Sequence, residues 1–135
     1  MNQMRYEQRD SGLSLVEEER VALSERTKTL ALRIIRLCEA MPKKQSARIL
    51  SRQLLRSGTS IGANYREANR ARSDAEFISK IGECLRESDE TAYWLELLRD
   101  AEIIPSTRLQ DLHDEVNQII AIFTTISKKV KSRIS

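Results

Sequence analysis

A chain of 135 residues and 15.5 kDa has room for one domain. At this size about two thirds of the extended surface is buried, enough to fold without a disulfide or a structural metal. Hydrophobic residues at 40%, charged residues at 32%, and only four Gly and two Pro exclude a turn-rich all-β protein and a disordered one. The net charge of +3 admits an anionic partner without requiring one.

Residues 1–13 lack periodicity and are expected to form a flexible tail. A first helix is predicted over about 15–41. Ser14 and Glu17 fit a capping box, Leu23, Thr27, Leu30, Ile34, Leu37 and Met41 repeat at 4-3 spacing, and Pro42 ends the pattern. A second helix is predicted over about 44–69, with an inner stripe of Ala47, Leu50, Leu54, Ser57, Ile61, Asn64 and Ala68. Gly58 and Gly62 each cost about 1 kcal/mol in helix propensity, so a break near Arg56–Ser60 is one reading. A continuous helix with a small face that a neighbour approaches closely is preferred, because the apolar phase runs through both glycines without slipping.

A third helix follows over about 74–101, opened by a Ser73–Glu76 capping box and carrying Phe77, Ile81, Cys84, Ser88, Thr91, Leu95 and Leu98. A neighbouring line, Glu76, Lys80, Glu83, Glu87 and Glu90, then Trp94 and Leu97, changes from acidic to apolar, which a bundle core does not require. That end points to contact with another element or another copy. The fourth helix is predicted over about 107–130 on Leu109, Leu112, Val116, Ile119, Phe123, Ile126 and Val130, with 131–135 as a basic tail. Four long helices joined by short links define an all-α, long antiparallel up-down-up-down four-helix bundle over 14–130.

Charge is segregated. Residues 43–72 carry eight basic side chains against Glu67 alone, and residues 73–102 carry nine acidic against three basic. The basic helix either neutralises the acidic one or presents Lys44, Arg48, Arg52 and Arg56 outward to phosphates, with Arg66, Arg70 and Arg72 extending the track. No aromatic residues interleave it, so binding would be driven by the nucleic-acid backbone and sensitive to salt.

Candidate chemistry is sparse. Two Glu-x-x-His pairs, which a di-metal bundle site needs, do not occur, and neither metal nor cofactor is expected. His113, the sole histidine, is expected to be solvated or interfacial. Cys38 and Cys84 read as buried reduced thiols of a cytoplasmic protein. No apolar run approaches the ~20 residues that span a membrane, and MNQMRYEQRD has no hydrophobic signal core. Asn64 on the inner stripe must be hydrogen-bonded if buried. A network of Asn64, Arg66 and Glu67 reaching Glu83 or Glu87 is the structural reading, and a partner site the functional one.

The segments Gln53-Leu54-Leu55-Arg56-Ser57, Ser60 through Ala68, Phe77-Ile78 and Glu90 through Leu98 resemble a family of bacterial four-helix bundle proteins. That family is encoded in intervening sequences of large-subunit ribosomal RNA genes and also in free-standing genes. The resemblance covers about residues 20–130. It is carried by the small residues, Asn64 and Glu67 near the end of the second helix, followed by the Phe77 helix and its Trp94-containing end. It implies a bundle that assembles as a ring, commonly a homopentamer, without established enzymatic activity. The accessory protein of diversity-generating retroelements, a related bundle, implies basic surfaces for RNA or DNA. Gly62, Arg66 and Ala68 stand where many relatives carry Pro, Ala and Gly, which marks a subgroup with a bulkier, more charged helix end.

The expected function is therefore a non-catalytic, self-associating scaffold or adaptor that binds RNA or DNA through its second helix. Gly58, Gly62, Tyr65, Tyr93, Trp94 and Leu97 are the candidate contacts between copies. The alternative is a purely structural or protein-binding oligomer whose basic helix is used up in subunit interfaces.

Overall fold

The computed structural model describes residues 17–134. Within them lie four helices and no strand: α1 (Glu17–Glu39), α2 (Gln45–Ala68), α3 (Asp74–Asp100) and α4 (Ser106–Ile134). The expected tail at 1–13 and the Ser14 half of the first capping box fall outside the described residues.

Local chemistry sets the helix ends. At the start of α3 the Ser73 hydroxyl accepts a hydrogen bond from the Glu76 amide at 3.1 Å, and the Glu76 carboxylate accepts one from the Arg72 amide. The end of α3 is a Schellman turn: the Ile103 amide donates to the Leu98 carbonyl and the Glu102 amide to the Arg99 carbonyl, both at 3.0 Å. Glu102 has φ of 57°, a left-handed conformation that glycine adopts more cheaply. The α4 helix continues to Ile134, so the basic tail expected at 131–135 is helical through Ile134. Arg133 there donates to Asp74 at 3.1 Å, tying the last turn of α4 to the first turn of α3.

Contacts run in opposite senses across each interface. Between α2 and α3, Glu67 meets Lys80 while Arg56 meets Glu90. Between α3 and α4, Glu96 meets His113 while Asp74 meets Arg133. Neighbouring helices are thus antiparallel, as the short connections require. The α2–α3 interface is the most extensive, and α1 meets α4 only lightly.

The apolar stripes close on one another around Leu30, Ile34, Leu54, Ile61, Ile81, Leu95, Val116, Ile119 and Phe123, all almost wholly removed from water. Fully burying each large side chain contributes about 1.5–3 kcal/mol. Polar residues in the stripes are satisfied locally. Thr91 donates to the Ser57 hydroxyl at 2.9 Å across α2 and α3, and Thr27 and Ser88 donate to carbonyls of their own helices.

The α2 helix runs unbroken through both glycines and departs from expectation in one register. Tyr65, not Asn64, fills the inner position: it is 0% exposed, with its ring 5.5 Å from that of Phe123. Either residue fits a 3-4 alternation after Ile61, and the ring gains far more from burial than the amide. A Cβ built on Gly58 would overlap the Ile34 side chain, and one on Gly62 would lie 3.1 Å from the Thr27 hydroxyl oxygen. The small face therefore seats α1 of the same chain. Gly58, Gly62 and Tyr65 thus make contacts within the bundle.

Candidate nucleic-acid interface

The inward stripe of α2 leaves its opposite face to solvent, where Arg48, Arg52 and Arg66 are exposed, as are Lys44 at the N-cap and Arg70 in the turn after the helix. None of these five is held in an ion pair among the described residues. Arg72, just beyond the helix, is exposed as well and lies 3.9 Å from Glu76. Arg56 differs from the expected outward track. It turns toward α3, where it meets Glu90 at 2.5 Å and Glu87 at 3.3 Å. The Glu90 carboxylate, with Glu87 behind it, pushes the Arg56 guanidinium above its ordinary value.

Two clefts line this side of the molecule. One, of about 540 Å³ at the α1–α2 turn, has Met41, Pro42 and Leu55 beneath Lys43, Lys44, Arg48 and Arg52, and no acidic residue lines it. The other, of about 570 Å³, lies between α1 and the C-terminal half of α2 over Thr27 and Gly62. Its walls carry Lys28, Arg66 and Arg70 with Glu25 and Glu67.

The acidic face of α3 is occupied from within. Lys80 donates to Glu67 at 2.6 Å and lies 4.0 Å from Glu83, and Glu67 above all raises the Lys80 ammonium from its ordinary value. The expected Asn64–Glu67–Glu83–Glu87 network is thus replaced by two cation-centred ones. Lys80 joins Glu67 to Glu83, and Arg56 joins Glu87 to Glu90. Asn64 is half-buried, and among the described residues its side chain makes no hydrogen bond. Which base bridges two helices depends on their rotation, and the sequence marks Lys80 only as a lone base between Glu76 and Glu83.

At the other end of α3 lies an apolar patch. Tyr93 is 52% exposed, its ring 5.1 Å from that of half-buried Trp94, and Leu97 follows one turn on. The antiparallel register set by Arg56–Glu90 carries Ile49, 50% exposed, toward the same end of the α2–α3 interface. The Trp94 indole N–H is buried and finds no acceptor among the described residues.

The remaining candidates are structural in surroundings. His113 Nε2 sits 2.9 Å from Glu96, with Asn117 at the other ring nitrogen. Burial raises the Cys38 thiol, which donates to the Ser51 carbonyl, and pushes Cys84 up to about 12. Among the described residues no group of three or more His, Cys, Asp and Glu is placed to hold a metal ion. No described helix is long and apolar enough to cross a membrane.

An all-α four-helix bundle with one basic and one acidic helix is the class of protein these features define. The family model of the 23S rRNA-intervening sequence protein matches residues 19–125, and the chain belongs to that family. It is similar to a crystal structure of a protein of unknown function from the S23 ribosomal protein family of Bacteroides thetaiotaomicron. The identity is 39%, the TM-score 0.74, and the match covers 78% of this chain and 98% of that one. No curated protein matches the chain.

Proposed function

We propose that the protein is a non-catalytic cytoplasmic bundle that associates with copies of itself and binds the phosphate backbone of nucleic acid through the outward face of α2. The observation that carries this reading is the set of exposed cations at Lys44, Arg48, Arg52, Arg66 and Arg70 without acidic partners. The adjacent acids of α3 that would neutralise them are engaged by Arg56 and Lys80. Such cations release counterions from phosphates on binding, which makes affinity fall steeply with salt.

Association between copies rests on Tyr93, Trp94, Leu97 and Ile49. An indole N–H buried without an acceptor costs about 1–3 kcal/mol, and a second copy supplies both the acceptor and the apolar cover. In the homopentamer that the family resemblance implies, the +3 of each chain is multiplied fivefold, and weak contacts to one nucleic acid add.

Titration of labelled RNA and DNA at low and physiological salt tests the reading, with an Arg48→Glu/Arg52→Glu variant as comparison. Affinity is expected to fall with salt and with the charge reversal while the mass by light scattering stays unchanged. Absence of affinity at low salt overturns the reading. Dissociation of the assembly by the same reversal supports instead a protein-binding oligomer whose basic face lies in its interfaces.

A further inference from the structure

The cations on α2 fall into two groups that share one bearing. Arg48 and Arg66 stand 18 residues apart in the chain, and so do Arg52 and Arg70. Five helical turns take 18 residues, so Arg48 and Arg66, both within α2, point the same way about 27 Å apart along the axis, and Arg70, in the turn just beyond α2, lines the same cleft as Arg66. The outward stretch between them carries Leu55, Thr59 and Ala63, without charge. Arg56, the one cation in that interval, is turned aside to Glu87 and Glu90.

We propose that this face docks along a double-stranded nucleic acid, touching its backbone at two places about one duplex turn apart, and that it discriminates against single strands. The inference rests on the nucleic-acid reading of α2 and names the form of ligand. A flexible single strand presents closely spaced phosphates, which favour an unbroken cationic track with aromatic platforms for its bases. Here the track is interrupted, and the one aromatic residue of α2, Tyr65, is buried in the core. A rigid rod laid along a duplex meets a given strand once per turn, about 34–36 Å in B-form DNA. Two arginines splayed outward from the ends of the 27 Å interval span that difference, and the shorter turn of an A-form duplex needs less. Between the two contacts lie both grooves and one crossing of the complementary strand, which the neutral helix face leaves uncontacted.

The two ends are unequal. The Arg48–Arg52 end has Lys43 and Lys44 beside it and no acid in its cleft, whereas the Arg66–Arg70 end shares its cleft with Glu25 and Glu67. The first is the stronger anchor.

Fluorescence anisotropy of the full chain at low salt tests the proposal. The probes are RNA and DNA duplexes of about 16 bp, which reach both ends, duplexes of about 6 bp, which reach one, and the matching single strands. Long duplexes are expected to bind at least about tenfold tighter than their single strands. R48Q/R52Q and R66Q/R70Q should each weaken the long duplex about tenfold, the first more, and lower the salt slope by about two. R66Q/R70Q should leave the short duplex within about twofold, since the stronger end still serves, whereas R48Q/R52Q leaves it only the weaker end. Helical circular dichroism of the variants controls for folding, which glutamine at four exposed positions does not disturb. Single strands bound as tightly as duplexes, or short and long duplexes weakened alike by R66Q/R70Q, overturn the two-point docking while leaving nucleic-acid binding standing. No binding to any probe overturns both.

Discussion

Gly58 and Gly82 both lie in helix interiors, yet their surroundings make them opposites. A Cβ on Gly58 would drive into the fully buried Ile34, whereas one on Gly82 would meet nothing within 4 Å. Alanine at position 82 should therefore stabilise the protein by up to about 1 kcal/mol through helix propensity alone. Alanine at position 58 gains the same propensity but overpacks the α1–α2 contact, and a net loss of about 1–2 kcal/mol is expected. Urea denaturation of the two variants checks the contrast in sign. Cys84 gives a second residue-scale outcome. Burial disfavours its thiolate and lifts the thiol to about 12, so at mildly alkaline pH a thiol reagent should label it only at the rate of unfolding. Labelling of the native protein as fast as that of a free thiol would contradict its place in the core. At this scale the sequence was legible where one side chain dominates, as at Leu54 or Ile61. It misled at Asn64 and Tyr65, because adjacent positions both satisfied the 3-4 alternation and only the orientation of α4, with Phe123, decides between them.

Elements were the most legible level. The 3.6-residue period, Pro42 and the Ser73–Glu76 box located the helices to within a few residues, since each signal is local to the chain. The end of α4 runs past the expected end at residue 130 for the opposite reason. Its lysine-rich run looks like fraying tail until Asp74, distant in sequence, gives Arg133 a partner. The α3–α4 turn carries a local conflict that can be relieved. Glu102 holds a left-handed φ of 57° in a Schellman turn whose hydrogen bonds use only backbone. Glu102→Gly should raise stability by about 1 kcal/mol, read as a higher denaturation midpoint with an unchanged urea slope. A lower midpoint would mean that the glutamate side chain contributes more than the backbone conformation costs.

For the molecule as a whole, total charge and its segregation were plain in the sequence, but which charges cancel was not. Pairing depends on how far each helix is rotated against its neighbours, and that is fixed by core packing. Arg26 illustrates this: it reaches across the lightly packed α1–α4 side to Glu115 at 2.7 Å and to Gln118. The guanidinium holds the Glu115 carboxyl below its ordinary value of 4.5. A carboxyl lowered in the folded state contributes stability that is present above the ordinary value and lost as pH falls through the folded one. Glu115→Gln should therefore cost about 0.5–1 kcal/mol near neutrality, the partly exposed Arg26 keeping it small, and the gap should close in acid. Urea melts of both proteins between about pH 6 and pH 3 measure it.

The uneven packing around the bundle also orders its motions. Helix α1 is seated on the glycines of α2, while its other flank meets α4 only lightly, with Arg26 as a latch to Glu115. Lifting α1 as a flap is thus the cheapest partial opening, and its amides should exchange with deuterium before those of α2 and α3. Loosening the latch by acid hastens that exchange, so a cellular protease would find its first foothold along α1.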